Sequence, residues 1–313
     1  MKDKNIYDII VIGGGPAGIF TSIYGSQRGN KVLLLEKMEK LGKKLLIAGQ
    51  GQCNLTHTGT KDEFIDKYGD NGSFLKKAFY KFPPQALINF FAERNLPLVS
   101  TEKGKYFPNT FKSLDVLSVL KKELEKLDVQ IETKMEVLEV NFNDIFQVKT
   151  KDNEFYSKNL VIATGGLSYN VTGSSGDGYK FANKMGLKLK NTKPSLTPCY
   201  VKDYPFSNLQ GVSFRNILLE LWRDNKKIKS ATGDLLFTHK NISGPIIIDN
   251  SRYFEKGDKL VINYSGILYE LFDESIRKII NNNGNKMIKN IFDNPNFSEK
   301  FIKFALKYCS IDE

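Results

Sequence analysis

The sequence predicts an α/β fold in which a nucleotide-binding half is followed by a β-rich and then a helical part. Three observations carry this: a glycine-rich run within residues 6–36, an apolar run closed by Ala163-Thr164-Gly165-Gly166, and a change of pattern near residue 190. In the first, apolar residues 9–12 lead into Gly13-x-Gly15-x-x-Gly18, a helix-like segment, a second apolar run at 32–35, and Glu36. Strand, glycine turn, helix, strand and acid, in that order, make the dinucleotide-binding βαβ unit of a Rossmann-type domain. Gly13 permits the tight turn, Gly15 lets a pyrophosphate approach the backbone, and Gly18 lets the helix lie close to its strand. Pro16 suits the first helical turn, where its missing N–H has no partner to lose, and Ala17 follows it. The free N–H groups and positive dipole end of that helix face the phosphates. Glu36 closes the second strand, where a carboxylate accepts hydrogen bonds from a ribose.

Further along, residues 37–60 read as a loop rich in Gly, Gln and Asn, and short helices are expected at 73–80 and 83–94. Residues 113–127 form an amphipathic helix, with Ser113 as N-cap, Asp115 in the first turn, and Leu117, Leu120, Leu124 and Leu127 on one face. Short strands follow at 129–132, 136–142, 146–149 and 155–156, then the apolar run 160–163. Residues 173–178 are a second glycine-rich turn, entering a helix at 179–185. From 194 to 264 the chain alternates in short strands with turn signals, and from 266 it is helical and polar, with an Asn-rich loop at 281–285. The boundary therefore falls near 190: a nucleotide-binding domain over 1–190, then 191–313, β-rich to 265 and helical beyond.

Composition sets bounds. With 313 residues, 41% of them hydrophobic, the chain has material for two cores. No apolar run reaches transmembrane length, and the apolar N-terminus is broken at 13–16 without a cleavage site, so neither a membrane span nor a signal peptide is expected. Cys53, Cys199 and Cys309 are scattered without a CxxC pair. That predicts a reducing, cytoplasmic setting and no metal centre. The net charge of +11 comes from dispersed lysines, and Lys121 to Lys126 alternates sign as a solvated helix face does, so no nucleic-acid partner is expected.

The cofactor predicted is FAD rather than NAD. A strand ending Ala163-Thr164-Gly165 runs beside the first strand in flavoproteins of the two-dinucleotide-binding type, with its glycine end close to the cofactor. A simple dehydrogenase would continue βαβ after Glu36, whereas this chain detours through a long loop and several helices. The strand-dense interval 129–157 fits the small crossing sheet of such folds, which places backbone near Val137 at the adenine. Only one GxGxxG is present, so no separate nicotinamide domain is visible.

Four stretches carry a more specific likeness: GGGPAG (13–18), GKKLLIAGQGQCNLTH (42–57), ATGGLSYNVTGSSGDGY (163–179) and GDLLFTHKNISGP (233–245). KYFPNTFKSLDVLSVL (105–120) and PSLTPC (194–199) are shorter echoes. In these the chain resembles the BaiN/aminoacetone-oxidase-like family of bacterial FAD-dependent flavoproteins. The resemblance implies a glutathione-reductase-like FAD domain interrupted by a β-barrel-like part and a small helical part. It implies that 42–57 wraps over the FAD pyrophosphate toward the isoalloxazine ring, with Gly49 and Gly51 giving close backbone approach. Lys44 would balance phosphate charge, and Lys37, beside Glu36, joins the cofactor set. Gln50 stands where the family usually has Gly, and Gln52 where it usually has Arg, a planar bidentate donor. Cys53 reads as loop packing before a redox role, and Asn54 as a hydrogen-bonding group to flavin or loop. His57 and His239, the only histidines, read as structural before acid–base groups. The 173–178 turn reads as cofactor-facing, against a plain helix entry capped by Asp177. Gly166 completes the set with Ala163, Thr164 and Gly165.

Members of that family continue into a segment of the type FAGE…D…GG-NxQ, which this sequence lacks up to Glu313. A truncated or split protein is therefore expected, its Ala-Thr-Gly strand left with an unpaired edge and a second chain supplying the absent FAD segment. The function expected is an FAD-dependent oxidoreductase, moving hydride from an unidentified substrate or donor to flavin N5. The alternative is a non-catalytic nucleotide-binding remnant or half of a split flavoprotein. No residue is singled out as catalytic acid or base.

Overall fold

The apolar runs 9–12 and 32–35 become neighbouring central strands, as continuous burial on both faces requires of parallel strands. A computed structural model describes residues 5–282 and 296–311. It divides into two units, Met1–Lys190 and Asn191–Glu313.

In the first unit, strand β1 (Ile6–Ile12), helix α1 (Pro16–Ser26) and strand β2 (Val32–Leu35) form the βαβ start. Helix α2 (Lys43–Ile47), strand β3 (Thr56–His57), and helices α3 (Lys61–Lys67), α4 (Gly72–Lys81) and α5 (Pro84–Ala92) follow. Strands β4 (Leu98–Ser100) and β5 (Lys105–Pro108) make a small antiparallel sheet with β3. Next come helix α6 (Ser113–Lys126), strands β6 (Gln130–Glu132), β7 (Glu139–Asn143), β8 (Ile145–Lys149) and β9 (Glu154–Ile162), and helix α7 (Asp177–Lys184). The main sheet runs β6-β2-β1-β9-β8-β7, with β6, β2, β1 and β9 parallel and β7, β8 and β9 an antiparallel meander.

Period-two alternation splits the core into two layers. Val11 and Leu34 face α1, α5 and α6, meeting Ile19, Ile23, Phe91, Leu120 and Leu124. Ile10, Ile12, Leu33 and Leu35 face the other way, with Val140, Val148 and Phe181.

Three sequence expectations change in this unit. Residues 155–156 and 160–162 belong to one strand, β9. Its first part, from Glu154 to Ser157, pairs antiparallel with β8, and from Tyr156 onward it pairs parallel with β1. It is therefore interior in the strand order, yet from Asn159 to Ile162 β1 is its paired neighbour on one side only, among the described residues. Ser113 is not the N-cap of α6: Lys112 holds that place without a side-chain cap, and the buried Ser113 hydroxyl donates to the Leu46 carbonyl at 2.9 Å. A tertiary acceptor wins the hydroxyl from the helix end. Strand β7 begins at Glu139 rather than 136, because the preceding backbone is held by Glu36: the Met135 amide donates to its carbonyl at 2.9 Å.

In the second unit, strands β10 (Ser213–Arg223) and β11 (Lys226–Phe237) are joined by Asp224 and Asn225, both at positive φ, 48° and 59°. Two such residues make the turn whose twist matches paired strands. The β-rich part thus contains two long strands where short ones were expected. Strand β12 (Ile242–Ser243), helix α8 (Pro245–Asn250), strand β13 (Lys259–Asn263), and helices α9 (Tyr269–Asn282) and α10 (Glu299–Tyr308) complete it. The sheet order is β12-β11-β10-β13, all antiparallel. Phe214, Ile217, Phe237, Ile246 and Ile247 form its core. Of the expected Asn-rich loop, Asn281 and Asn282 close α9, and 283–285 lie outside the described residues.

Asp258 anchors this unit's periphery, accepting from Arg223 Nε at 2.8 Å and Nη2 at 2.9 Å with 5% of its side chain exposed. The Arg223 hydrogen bonds hold its carboxyl below the ordinary aspartate value. A lowered folded-state pKa adds stability that is present above about pH 4, the unfolded value, and is lost as pH falls through the folded one. Urea melts of D258N should therefore lie below wild type at pH 7, with the gap closing toward pH 3. A gap independent of pH would refute the assignment.

Among the described residues, no helix is long and apolar enough to cross a membrane, and no group of His, Cys, Asp and Glu suits a metal ion.

Candidate dinucleotide site

A cleft of about 430 Å³ opens at the C-terminal ends of β1, β2 and β9, within the usual range for small-molecule sites. Gly13, Gly15, Pro16, Ala17, Glu36, Lys37, Lys44, Val137, Ala163, Thr164 and Gly165 all line it. The three fingerprint glycines differ in what surrounds them. At Gly13, φ is +108°, and a Cβ would lie 2.5 Å from the Ala163 carbonyl oxygen. At Gly18 a Cβ would lie 1.8 Å from the Gly13 carbonyl oxygen, so this glycine packs helix on strand and does not line the cleft. At Gly15 a Cβ would meet nothing within 4 Å, and no side chain caps α1 there. The turn is crowded everywhere except where a diphosphate would approach the helix end.

Glu36 sits beside this turn with Oε2 accepting from the Gly14 amide at 2.6 Å and Oε1 from the Met38 amide at 2.7 Å. Each carboxylate oxygen keeps acceptor capacity for a ribose hydroxyl. Val137, 7% exposed, lines the adjacent wall. On the β9 side, the Ala163 amide donates to the Ile12 carbonyl at 2.8 Å, and Thr164 Oγ1 accepts from the Gly178 amide at 3.0 Å. Gly165 has φ +75° with the Ser174 hydroxyl where a Cβ would stand. Gly166 lies just off the cleft, facing the Tyr179 hydroxyl.

The 173–178 turn also lines the cleft, through Gly173, Ser174 and Asp177. Gly176 is the N-cap of α7, and Asp177 stands in its first turn. Its carboxylate pairs with Lys37 Nζ at 2.6 Å and accepts from Ser175 Oγ at 2.9 Å. Burial would raise the Asp177 pKa, but these hydrogen bonds and the lysine charge outweigh it and hold the carboxyl below its ordinary value. Lys40, Gly42 and Lys43 join the lining, so four lysines, Lys37, Lys40, Lys43 and Lys44, contribute to the cleft wall. The lysine spacing was a readable signal for two residues that sequence reasoning passed over.

A crowded glycine turn, an open helix end and a lysine-ringed wall fit a dinucleotide diphosphate. The model of the HI0933-like protein Rossmann domain matches residues 7–257 of this sequence. The chain belongs to the HI0933-like family. This is an FAD-binding Rossmann family among the FAD-dependent oxidoreductases, and its cofactor is FAD. Similar proteins include the ribosomal RNA dihydrouridine synthase of Escherichia coli, 30% identical over 82% of this chain and 63% of that one. Another is the 3-dehydro-bile acid delta(4,6)-reductase of Clostridium scindens, 30% identical over 79% of this chain and 60% of that one. The chain thus spans about three fifths of the length of these relatives. Among solved structures, a 3-ketosteroid-delta4-(5alpha)-dehydrogenase from Rhodococcus jostii aligns over 69% of this chain and 61% of that one, with 16% identity and a TM-score of 0.46.

In this HI0933-like chain, the run 42–57 divides between two places. Gly42, at φ +71°, bonds its amide to the Gly14 carbonyl at 2.9 Å, and with Lys43 and Lys44 lines the cleft. Lys44 Nζ donates to the Ser168 carbonyl at 2.8 Å. Gly49, Gly51, Cys53 and Asn54 do not line it. Gly49 is crowded by the Asn54 amide and Phe107. Cys53 is 5% exposed in the hydrophobic core, where burial pushes its thiol up to about 11. A thiol so placed stays protonated and unreactive near neutrality. Asn54 and His57 line a separate groove, and His239 is exposed in the second unit.

Gln50 adopts φ 57° and ψ 36°, the left-handed region that disfavours side chains. Replacing it by glycine, Gln50→Gly, is expected to raise stability by about 1 kcal/mol in urea melts. A neutral or destabilising result would show that the Gln50 side chain compensates its backbone.

Proposed function

We propose that this chain holds FAD for an oxidoreductase reaction in which hydride moves between an unidentified substrate or donor and flavin N5. When bound, FAD supplies the two-electron chemistry, taking hydride from a donor and passing the electron pair to an acceptor. The chain's residues would bind and orient. Gly13, Gly15 and the α1 end, with Pro16 and Ala17, would take the diphosphate, and Glu36 the adenosine ribose. Backbone at Val137 would meet the adenine, and Ala163 to Gly166 would flank the flavin-bearing half. Lys37 and Lys44 would offset phosphate charge. One observation carries this reading: the open space at Gly15 in a turn otherwise closed to a single added carbon. The reductase name of the Clostridium scindens relative supports a redox role on a small organic substrate. The open side of β9 from Asn159 to Ile162 would take a further strand, and a second chain is one source of it. Three free cysteines suit a cytoplasmic setting.

The test is the visible spectrum of freshly purified protein, with the released flavin identified after denaturation. A band near ~450 nm with one FAD per chain supports the reading. A colourless protein that takes up NAD but not added FAD would overturn it.

A further inference from the structure

The Lys37–Asp177 pair joins two walls of the cleft that the sheet keeps apart. In the strand order β2-β1-β9, the segment after β2 (36–44) and the segment after β9 (163–177) stand on opposite sides of β1 and its glycine turn. Lys37 Nζ crosses between them, reaching Asp177 Oδ2 at 2.6 Å and Ser175 Oγ at 2.5 Å. Two further contacts cross in the same way. Lys44 Nζ donates to the Ser168 carbonyl at 2.8 Å, and Gly173 lies so close to Met38 that a Cβ would stand 3.0 Å from its Cγ. Lys37, Lys44, Gly173 and Asp177 all line the cleft, so these contacts are made at the cofactor site itself.

Little else holds the later segment down. Between Ala163 and Phe181 no side chain joins a hydrophobic core among the described residues. Leu167, Tyr169 and Val171 are exposed, Val171 by 84%. Its backbone hydrogen bonds stay inside the segment: Thr172 donates to Tyr169, Gly173 to Asn170 and Ser175 to Gly173. Gly165 and Gly176, at φ +75° and +82°, stand at its two ends, where glycine absorbs a backbone rotation most readily. A segment with a glycine at each end and no core anchor opens at low cost, so its tethers decide where it sits.

The charge on Asp177 is the telling feature. A diphosphate is an anion, and a carboxylate on the wall beside it repels it. Direct contact with the cofactor therefore does not account for this acid, whereas holding Lys37 to the later segment does. An acid in the first turn of α7 also suits that helix's positive end, a purely local role.

We infer that the Lys37–Asp177 pair is a latch: segment 165–176 turns on its end glycines, and FAD leaves the cleft when the pair is broken. Asp177 is thus a positioning residue that acts through Lys37. The inference rests on the flavin reading above and adds to it what controls cofactor release.

The experiment follows FAD release by flavin fluorescence after dilution of the loaded full chain, for wild type, Lys37→Gln, Asp177→Asn and the double variant. The two single substitutions change the cleft's charge in opposite directions. A simple electrostatic role would therefore slow release in Asp177→Asn and speed it in Lys37→Gln. The latch predicts the same direction for both, with release roughly fivefold faster in each, as for loss of one partly solvated ion pair. The double variant should release FAD no faster than either single one, because the two residues make one contact. Thermal melts of the same proteins separate the local role, which would lower the midpoint of Asp177→Asn and leave release from Lys37→Gln unmoved. Opposite shifts, unmoved rates, additive effects in the double variant, or an effect in Asp177→Asn alone overturns the inference. A wild-type chain that takes up no FAD overturns the flavin reading and the latch with it; a wild type that holds FAD, with release unmoved in the variants, overturns the latch alone.

Discussion

Gly15→Val should leave the fold intact and abolish FAD retention, whereas Gly18→Val should damage the fold itself. The two glycines stand three residues apart in one motif, yet their surroundings are opposite. Gly15 is in ordinary extended backbone, φ −81° and ψ 179°, and an added Cβ meets nothing within 4 Å. Any residue adopts that conformation, so the thermal midpoint should change by no more than about 0.5 kcal/mol equivalent. The new methyl groups would instead fill the space the diphosphate needs at the α1 end. FAD affinity should fall at least tenfold, about 1.4 kcal/mol. At Gly18 the added carbon would lie 1.8 Å from a backbone oxygen, which no side-chain rearrangement relieves. Helix α1 must lift from β1, at a cost of roughly 1–3 kcal/mol or more. Fluorescence titration of FAD against each variant, with melts in parallel, separates the two effects. Equal loss of stability in both would mean that Gly15 is structural, and the phosphate reading of the turn would fail.

That contrast shows which parts of the molecule were legible beforehand. The βαβ start was readable because each requirement is local: a glycine at a tight turn, a proline at a helix start, an acid at a strand end. Strand β9 was read as two segments because Lys158 and Asn159, both exposed, interrupt its apolar pattern where it passes from β8 to β1. The two halves answer to different neighbours, so no single period describes them. Ser113 has the residue type of a cap, but its hydroxyl is claimed by Leu46, 67 residues earlier. The Lys37–Asp177 pair spans 140 residues, and nothing near either residue announces the other. In the run 42–57, likeness to a family implies a wrap over the FAD pyrophosphate toward the flavin ring, with Cys53 read as loop packing. The backbone turns at Ala48–Gly51, sends Cys53 into the core as the packing reading has it, and brings Asn54 to a second groove. The left-handed conformations of Gln50 and Cys53 do not follow from their residue types, and they are what divides the run.

The largest effect away from the cleft should come from Glu123, the buried carboxylate that ties α6 to the chain just after α5. Glu123 is 8% exposed and accepts from Arg94 Nη2 at 2.7 Å. Arg94 is further held by the Phe90 carbonyl at 2.8 Å, and its guanidinium lies 3.8 Å from the Phe90 ring centroid. Its Nε is buried without a partner, so the pair is imperfectly satisfied even when intact. Taking two charges from water offsets most of their attraction, so the pair itself contributes little net stability. Removing one partner is different, because Arg94 is left with only the Phe90 carbonyl and the exposed Glu93 carboxylate, 3.6 Å from its Nη1. Glu123→Ala should cost roughly 3 kcal/mol, at the low end for a buried pair because the guanidinium retains some solvent contact. Arg94→Met with Glu123→Leu should recover most of that loss, since apolar groups of similar volume need no partner. Both are measured by urea denaturation, and the single variant's deficit should persist in high salt, which screens exposed charges far more than buried ones. FAD content should be unchanged once the protein is folded, since neither residue lines the cleft. A Glu123→Ala variant as stable as wild type would mean that Glu93 or water compensates the Arg94 charge. The ion pair would then be an ornament of the α6 surface rather than a constraint on how α6 meets the core formed by Phe91, Leu120 and Leu124.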